Sequence, residues 1–212
     1  MAATIHPGTS DVLLVVDPQN DFCPGGALAV PSGDAVLPVV NRLAERFEHV
    51  ILTQDWHPGG HLSFASSHRG CRPYDTVAVS YGEQILWPDH CVQESFGAAF
   101  HRDLRIPRAE LIIRKGYHRD IDSYSAFCEN DRRTPTGLGG YLREREMTRI
   151  FIAGLALDYC VRFSAEDARD RGFAVMVIGD ACRGIGMGDS ISAAQRSFAE
   201  RNVGCLRADS FG

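Results

Sequence analysis

Lys115 is the only lysine in the chain; the other 21 of its 22 basic residues are arginines. Arginine replaces lysine well on a solvated surface, but it is bulkier and planar, whereas an ammonium is compact enough to sit between a carboxylate and a thiol. The retained lysine marks a position where compactness matters. A carboxylate, Asp17, closes the run DVLLVVD, and a thiol, Cys160, follows IFIAGLALDY. An acid that takes a thiol proton, a cation that holds the resulting charges and a sulfur nucleophile form a set for acyl transfer through a covalent intermediate. Of the seven cysteines, Cys160 is best placed, because it follows a strand and turn and lies in the first turn of a helix. Free N–H groups and the helix dipole there lower a thiol's pKa and offer donors to an oxyanion. Asp158 reads as the N-cap of that helix. Cys23 and Cys182 also follow strands and are weaker competitors. The alternative use of the same thiol is redox pairing with another cysteine.

A second group is a D-x-H pair, Asp55 and His57, followed by His61 and His90. One carboxylate with two or three imidazoles suits zinc, iron or manganese and leaves positions open for water or substrate. His6, His49, His68, His101 and His118 read as ordinary polar residues. The stretch between Asp55 and Lys115 is long for a crossover, and its aromatics Phe64, Tyr74, Tyr81 and Trp87 suggest a wall over the site. Trp87 stands three residues before His90.

These residues need a frame that gathers them. Short apolar runs rich in β-branched residues occur at 12–16, 50–53, 111–113, 150–153 and 174–178, with a weaker one at 203–206. Continuous rather than alternating apolarity predicts strands covered on both faces. Helical patterns at 35–47, 159–171 and 190–201 alternate with them, so the expected fold is α/β, a three-layer αβα sandwich around a central, mainly parallel sheet. The charged stretches 143–149 and 166–171 read as solvated helix faces. In parallel sheets the ligand site lies beyond the carboxyl ends of the strands. Asp17, Asp55 with His57, Lys115 and Cys160 all fall just past such ends.

At 212 residues with 44% hydrophobic content and no linker, the chain reads as a single domain, 1–212. A net charge of −5 sets no basic patch against nucleic acid. No apolar run approaches a membrane span and the first residues lack a signal-type apolar core, so a cytoplasmic protein is expected. Seven cysteines without a C-x-x-C pair fit a reducing compartment better than a disulfide framework. Self-association into a homo-oligomer stays open. Gly184, Gly186 and Gly188 follow a strand and precede a helix, but they lack the spacing of a dinucleotide-binding loop and leave no room for the rest of such a domain.

The segments DVLLVVDPQNDFCPGGALAV, VILTQDWHPGGHLSFA, LWPDHCVQ, IIRKGY with DSYSAF, and GLALDYCV, in this order, resemble the nicotinamidases of the isochorismatase-like hydrolase superfamily. The resemblance runs from about residue 11 to 184. It implies hydrolysis of nicotinamide, and of pyrazinamide, to the acid and ammonia through a thioester. Asp17, Lys115 and Cys160 match its catalytic triad; Phe22, Trp87 and Tyr124 match aromatics that enclose the pyridine ring. The backbone N–H groups of Ala156 and Cys160 match its oxyanion hole, and a cis peptide is implied before Ala156. Asp55, His57 and His90 match its ligands for one divalent metal, most simply zinc, with His61 a variable member. Relatives acting on carbamoyl or ureido amides share the triad but lack the metal set.

Overall fold

The computed structural model describes residues 4–212. Its first strand, β1 (Asp11–Val16), is buried at every residue. Val12, Leu14 and Val16 enter one hydrophobic core, and Leu13 and Val15 enter another on the opposite face. An unbroken apolar run thus becomes a strand covered on both sides, because side chains alternate across a sheet. Each fully buried aliphatic side chain of this kind stabilises the fold by about 1.5–3 kcal/mol.

The chain continues through α1 (Leu37–Ala44), β2 (His49–Asp55), an antiparallel hairpin of β3 (Thr76–Val79) and β4 (Gly82–Ile85), then β5 (Leu111–Lys115), α2 (Leu138–Glu144) and β6 (Arg149–Leu155). A π-helical turn, Leu157–Val161, runs into α3 (Arg162–Asp170), followed by β7 (Ala174–Arg183), α4 (Ser190–Glu200) and β8 (Gly204–Leu206). The main sheet has the order β5-β2-β1-β6-β7-β8, with every pairing parallel. Leu138 and Leu142 of α2, Ala165 and Ala168 of α3, and Ala194 and Phe198 of α4 pack on one face. Val40 and Leu43 of α1, with Phe211, pack on the other. This is the expected three-layer αβα fold. From β1 the chain adds β2 and β5 on one side and then returns to β6 on the other, which opens a crevice between the ends of β1 and β6.

Several local expectations fail for physical reasons. β5 is an edge strand, and Ile112 is 49% exposed, so its apolar run is covered on one face only. The 35–47 helix starts with a 3-10 turn, Gly33–Val36, and its α-helical part stops at Ala44. α2 escapes sequence reading because Gly139 and Gly140 lower its helix propensity. The charged stretches are not solvated faces throughout. Arg149 opens β6 and grips Asp11 through two bonds of 2.8 and 2.6 Å. Glu166 and Asp167 are buried between α3 and its neighbours, where Arg162, Ser197 and Arg132 partner them, as buried carboxylates require.

Candidate active site

Asp17 is the first residue past β1, with φ of 47°. Asp55 and Lys115 are the last residues of β2 and β5 and pair in the sheet register. Cys160 lies in the π-helical turn after β6. All four are buried. Lys115 starts two strands away from β1, about 10 Å at the usual strand spacing, so only a long side chain brings a charge from there to the crevice. Its Nζ lies 2.6 Å from Asp55 Oδ1, 2.9 Å from Asp17 Oδ2, 3.1 Å from the Ser123 carbonyl and 3.4 Å from Cys160 Sγ. Thr53 Oγ1 donates to Asp17 Oδ1 at 2.6 Å and accepts from the Asp17 N–H at 3.0 Å. Asp17 Oδ2 touches the ammonium as a charge but has no aligned hydrogen bond. One carboxylate oxygen of Asp17, one of Asp55 and the Cys160 sulfur lie within 4.8 Å of one another, within reach of a proton transfer from the thiol to Asp17.

Burial decides the thiol's resting state. It pushes Cys160 well above the ordinary value near 9, and Asp17 and Asp55 add to this while Lys115 opposes it. The thiol is therefore protonated at rest, and the lowering expected from a helix N-terminus is outweighed by desolvation. Burial likewise raises Asp17 above 3.8, with Asp55 adding and Lys115 and Thr53 opposing. The two shifts act against each other: the raised Asp17 is a stronger base, which favours proton transfer, whereas the raised Cys160 is a weaker acid, which opposes it. The Lys115 ammonium offsets the second by stabilising the thiolate. For Lys115, burial works against the charge, yet Asp17 and Asp55 outweigh it and lift the ammonium well above 10.5.

Asp55 faces two ways. While Oδ1 holds Lys115, Oδ2 lies 3.4 Å from His57 Nε2 and 3.6 Å from His90 Nε2. His57 Nδ1 donates to the Gly116 carbonyl and His90 Nδ1 to the Pro88 carbonyl, each at 2.8 Å. Carbonyls only accept, so both protons sit on Nδ1 and each neutral ring aims an Nε2 lone pair toward the carboxylate. Three electron-rich atoms turned on one point suit a cation there. The same carboxylate favours positive charge on its neighbours: burial disfavours charge on His57, but Asp55 outweighs it and raises His57 above 6.5. Gly116, at φ +66°, has to be glycine, because a Cβ would come within 2.4 Å of His57 Cε1.

His61 is not brought to that point. Its Nε2 donates to the carbonyls of His118 and Ile121 at 3.0 and 3.2 Å, and its Nδ1 accepts from Ser63 at 2.8 Å. Both nitrogens are occupied, and burial, with His57 adding, lowers His61 to about 4.

Above this floor lies a cavity lined by Phe22, Trp87 and Tyr124 together with Ala156 and Cys160. Tyr159, Leu28 and Ile185 line it too and were not foreseen; Tyr159 adjoins Cys160 in sequence, which was the available signal. Tyr159 meets Trp87 edge-on at 4.9 Å and Tyr124 at 5.5 Å, leaving a flat slot. Tyr124 Oη accepts from Trp87 Nε1 at 3.1 Å and Gln84 Nε2 at 3.2 Å. Of the other expected wall aromatics, Phe64 packs beneath His57, His61 and His90, Tyr74 lies behind Trp87 and is half exposed, and Tyr81 donates to Gln84. The peptide bond before Ala156 is cis.

Asp158 is not an N-cap. It lies inside the π-helical turn, and its carboxylate accepts from the backbone N–H groups of Ile185 and Gly186. The glycine-rich loop thus already holds a carboxylate of its own chain. Thr53, Gln19 and Gln84 also escaped sequence reading. Gln19 brackets Asp55, accepting from its N–H and donating to its carbonyl, both at 2.8 Å. A threonine in an apolar strand, two residues before Asp55, was the one sequence signal among them. Among the described residues every cysteine is a free thiol.

A model of the isochorismatase domain matches residues 11–208. The nicotinamidase of Acinetobacter baylyi is 52% identical over 191 residues, 90% of this chain and 89% of the relative. Among solved structures, the nicotinamidase and pyrazinamidase of Acinetobacter baumanii superposes with a TM-score of 0.94 at 48% identity, covering 95% of this chain and 98% of that one. The pyrazinamidase of Pyrococcus horikoshii in complex with zinc superposes with a TM-score of 0.77 at 35% identity, covering 93% and 99%.

Proposed function

The chain belongs to the isochorismatase family, and on the site it builds we propose that it hydrolyses nicotinamide to nicotinate and ammonia through a thioester on Cys160. The pyridine ring lies in the slot between Phe22, Trp87 and Tyr124, with its carboxamide over the thiol. Asp17 takes the Cys160 proton through Oδ2 as sulfur attacks the carboxamide carbon. The N–H groups of Ala156 and Cys160 receive the oxyanion, each donor of this kind contributing about 2.7–4 kcal/mol in acyl transfer. Lys115 holds the two carboxylates and the developing thiolate around one ammonium. Collapse expels ammonia with the proton from Asp17. Water then gives a proton to Asp17 as it attacks the thioester, releasing nicotinate and restoring the thiol.

Asp55, His57 and His90 fit a divalent cation because their acceptor atoms converge with their lone pairs free. We assign them one such ion, most simply zinc, with iron or manganese also matched to the donor set. When bound, the ion supplies a Lewis-acid contact for a ring nitrogen and so orients the ring. Pyrazinamide keeps a nitrogen in the same relation to its amide, and is a second substrate on this reading. The whole chain acts as one domain in a reducing cytoplasm, where its thiols persist.

The observation that carries this reading is the ammonium of Lys115 in contact with Asp17, Asp55 and Cys160 beneath an aromatic slot. Ammonia release measured over nicotinamide, pyrazinamide, benzamide and a ureido acid tests it. Nicotinamide and pyrazinamide are turned over, benzamide is poor for want of a ring nitrogen, and a quenched reaction yields an acyl adduct on Cys160. Release from the ureido acid with none from nicotinamide overturns it.

A further inference from the structure

The reaction leaves the buried carboxylate of Asp158, beside the nucleophile, without a task. Asp158 is 1% exposed, stands two residues before Cys160, and has no basic side chain as partner among the described residues. Its charge is met by three donors from a different part of the chain: the Ile185 N–H to Oδ1 at 2.9 Å, and the Gly186 N–H and Ser190 Oγ to Oδ2 at 2.8 and 2.6 Å. Gly186 adopts φ +76°, a conformation that lets consecutive N–H groups converge on an anion. At Gly184 a Cβ would lie 3.0 Å from Asp158 Oδ1, so the loop approaches the carboxylate as closely as a glycine allows.

The loop held in this way carries part of the slot. Ile185 lines the cavity, and the Tyr159 hydroxyl lies 3.8 Å from Met187 Sδ. Tyr159 in turn braces both Trp87 and Tyr124. Charge-assisted bonds to a buried carboxylate are the strong kind, and breaking them leaves buried donors unpaired.

We infer that Asp158 is a positioning residue for substrate binding, whose carboxylate latches the 184–190 loop against the nucleophile turn as a wall of the ring slot. The inference rests on the amide-hydrolysis reading for its substrate, but the latch itself does not depend on that reading. Asparagine at this position keeps the size and turns an N–H₂ toward donors, which releases the loop.

The test compares wild type, Asp158→Asn and Ser190→Ala in three measurements: steady-state kinetics with nicotinamide, alkylation of Cys160 by iodoacetamide, and hydrogen exchange at the Ile185 and Gly186 amides. Asp158→Asn raises KM about tenfold or more, equal to at least about 1.4 kcal/mol of binding, while the alkylation rate stays within about threefold. Exchange at the two amides accelerates by about two orders of magnitude as the loop opens locally. Ser190→Ala removes one bond of three, remains folded, and moves KM and exchange in the same direction by less, so it carries the test if Asp158→Asn does not fold. Alkylation and kcat falling together with KM unchanged would make Asp158 a support of the nucleophile and overturn the inference, as would unaltered exchange. Wild type inert toward nicotinamide sinks the reaction reading, and the exchange data still decide the latch.

Discussion

The floor of the site is made by sheet and its walls by loops, and the two are held in different ways. Asp17, Asp55 and Lys115 end neighbouring parallel strands, so register alone sets their spacing and the cores on both faces hold them. Phe22, Trp87, Tyr124 and Ile185 stand on irregular segments, and each segment is pinned by a buried polar side chain or a backbone bond to another loop. Gln84 ties Tyr124 to Asp122, Trp87 N–H reaches the Ser63 carbonyl, and Asp158 ties down Ile185. Charge is thus stored where the backbone is most constrained, and shape where hydrogen bonds can be adjusted. Floor substitutions should cost rate, and wall substitutions affinity.

The largest effect is expected at the sulfur. Cys160→Ala abolishes turnover and leaves a cooperative thermal transition, because it removes the nucleophile and only a small buried volume. Residual thioester chemistry in that variant, seen as an adduct on Cys23 or Cys182 by mass spectrometry, would move the nucleophile elsewhere.

Lys115→Arg comes next. Kinetics should show a loss of at least about a hundredfold in kcat/KM, about 2.7 kcal/mol of transition-state stabilisation. From sequence alone this substitution looks harmless to folding. The structure says otherwise: Lys115 is among the largest fully buried side chains, and a bulkier guanidinium overpacks its site at about 1–3 kcal/mol. A thermal shift alongside the kinetic loss is therefore expected, and an active Lys115→Arg enzyme would make the lone lysine an accident of composition.

His90→Ala tests the joint between floor and wall, since its imidazole faces both Asp55 and the Phe22 ring. Metal content by elemental analysis should fall, with KM rising about ten- to a hundredfold for the loss of one ligand, whereas His61→Ala retains the metal. The reverse pattern would replace His90 by His61 in the ligand set.

Strand-borne residues were legible because a continuous apolar run followed by a polar residue marks a strand end in a parallel sheet, and four such ends converge at one crevice. Among the wall residues, Trp87 was legible from the aromatics of the long crossover, whereas Phe22 and Tyr124 were legible only where a family motif named them. Nothing in the spacing of Gln84, Ile185 or Asp158 points to one cavity, because loop paths depend on contacts between distant segments. Asp158 shows how local logic misleads: an aspartate just before a helix is a reasonable N-cap, but the turn there is π-helical and the carboxylate serves a loop 27 residues away. Cys160 shows the same for energetics, since sequence reveals the helix start and hides the burial that outweighs it.

The pH profile separates floor from wall in one experiment. On the proposed mechanism Asp17 must be ionised to accept the thiol proton, so kcat/KM should fall about tenfold per pH unit below its pKa. Burial first, then Asp55, hold that pKa above the ordinary 3.8, so the acid limb lies above the usual carboxylate range. A wall substitution should leave the limb in place, and Thr53→Val, which removes a hydrogen bond favouring the ionised form, should move it further up.

The smallest effect is expected at Tyr124→Phe. The ring stays, so the slot keeps its width against Tyr159 and Phe163. What is lost is the oxygen that accepts from Trp87 Nε1 and Gln84 Nε2. Gln84 Nε2 has other acceptors, the Ile85 carbonyl at 2.7 Å and Asp122 Oδ2 at 2.8 Å, so it remains satisfied. Trp87 Nε1 is the one donor stranded, at a cost of about 1–3 kcal/mol that the indole can reduce by tilting. Tilting narrows the slot rather than disturbing Cys160, so KM should rise by about three- to tenfold with kcat nearly constant. A fall in kcat at constant KM would mean that the phenol touches the reacting amide, and the division of labour between floor and wall would fail at this residue.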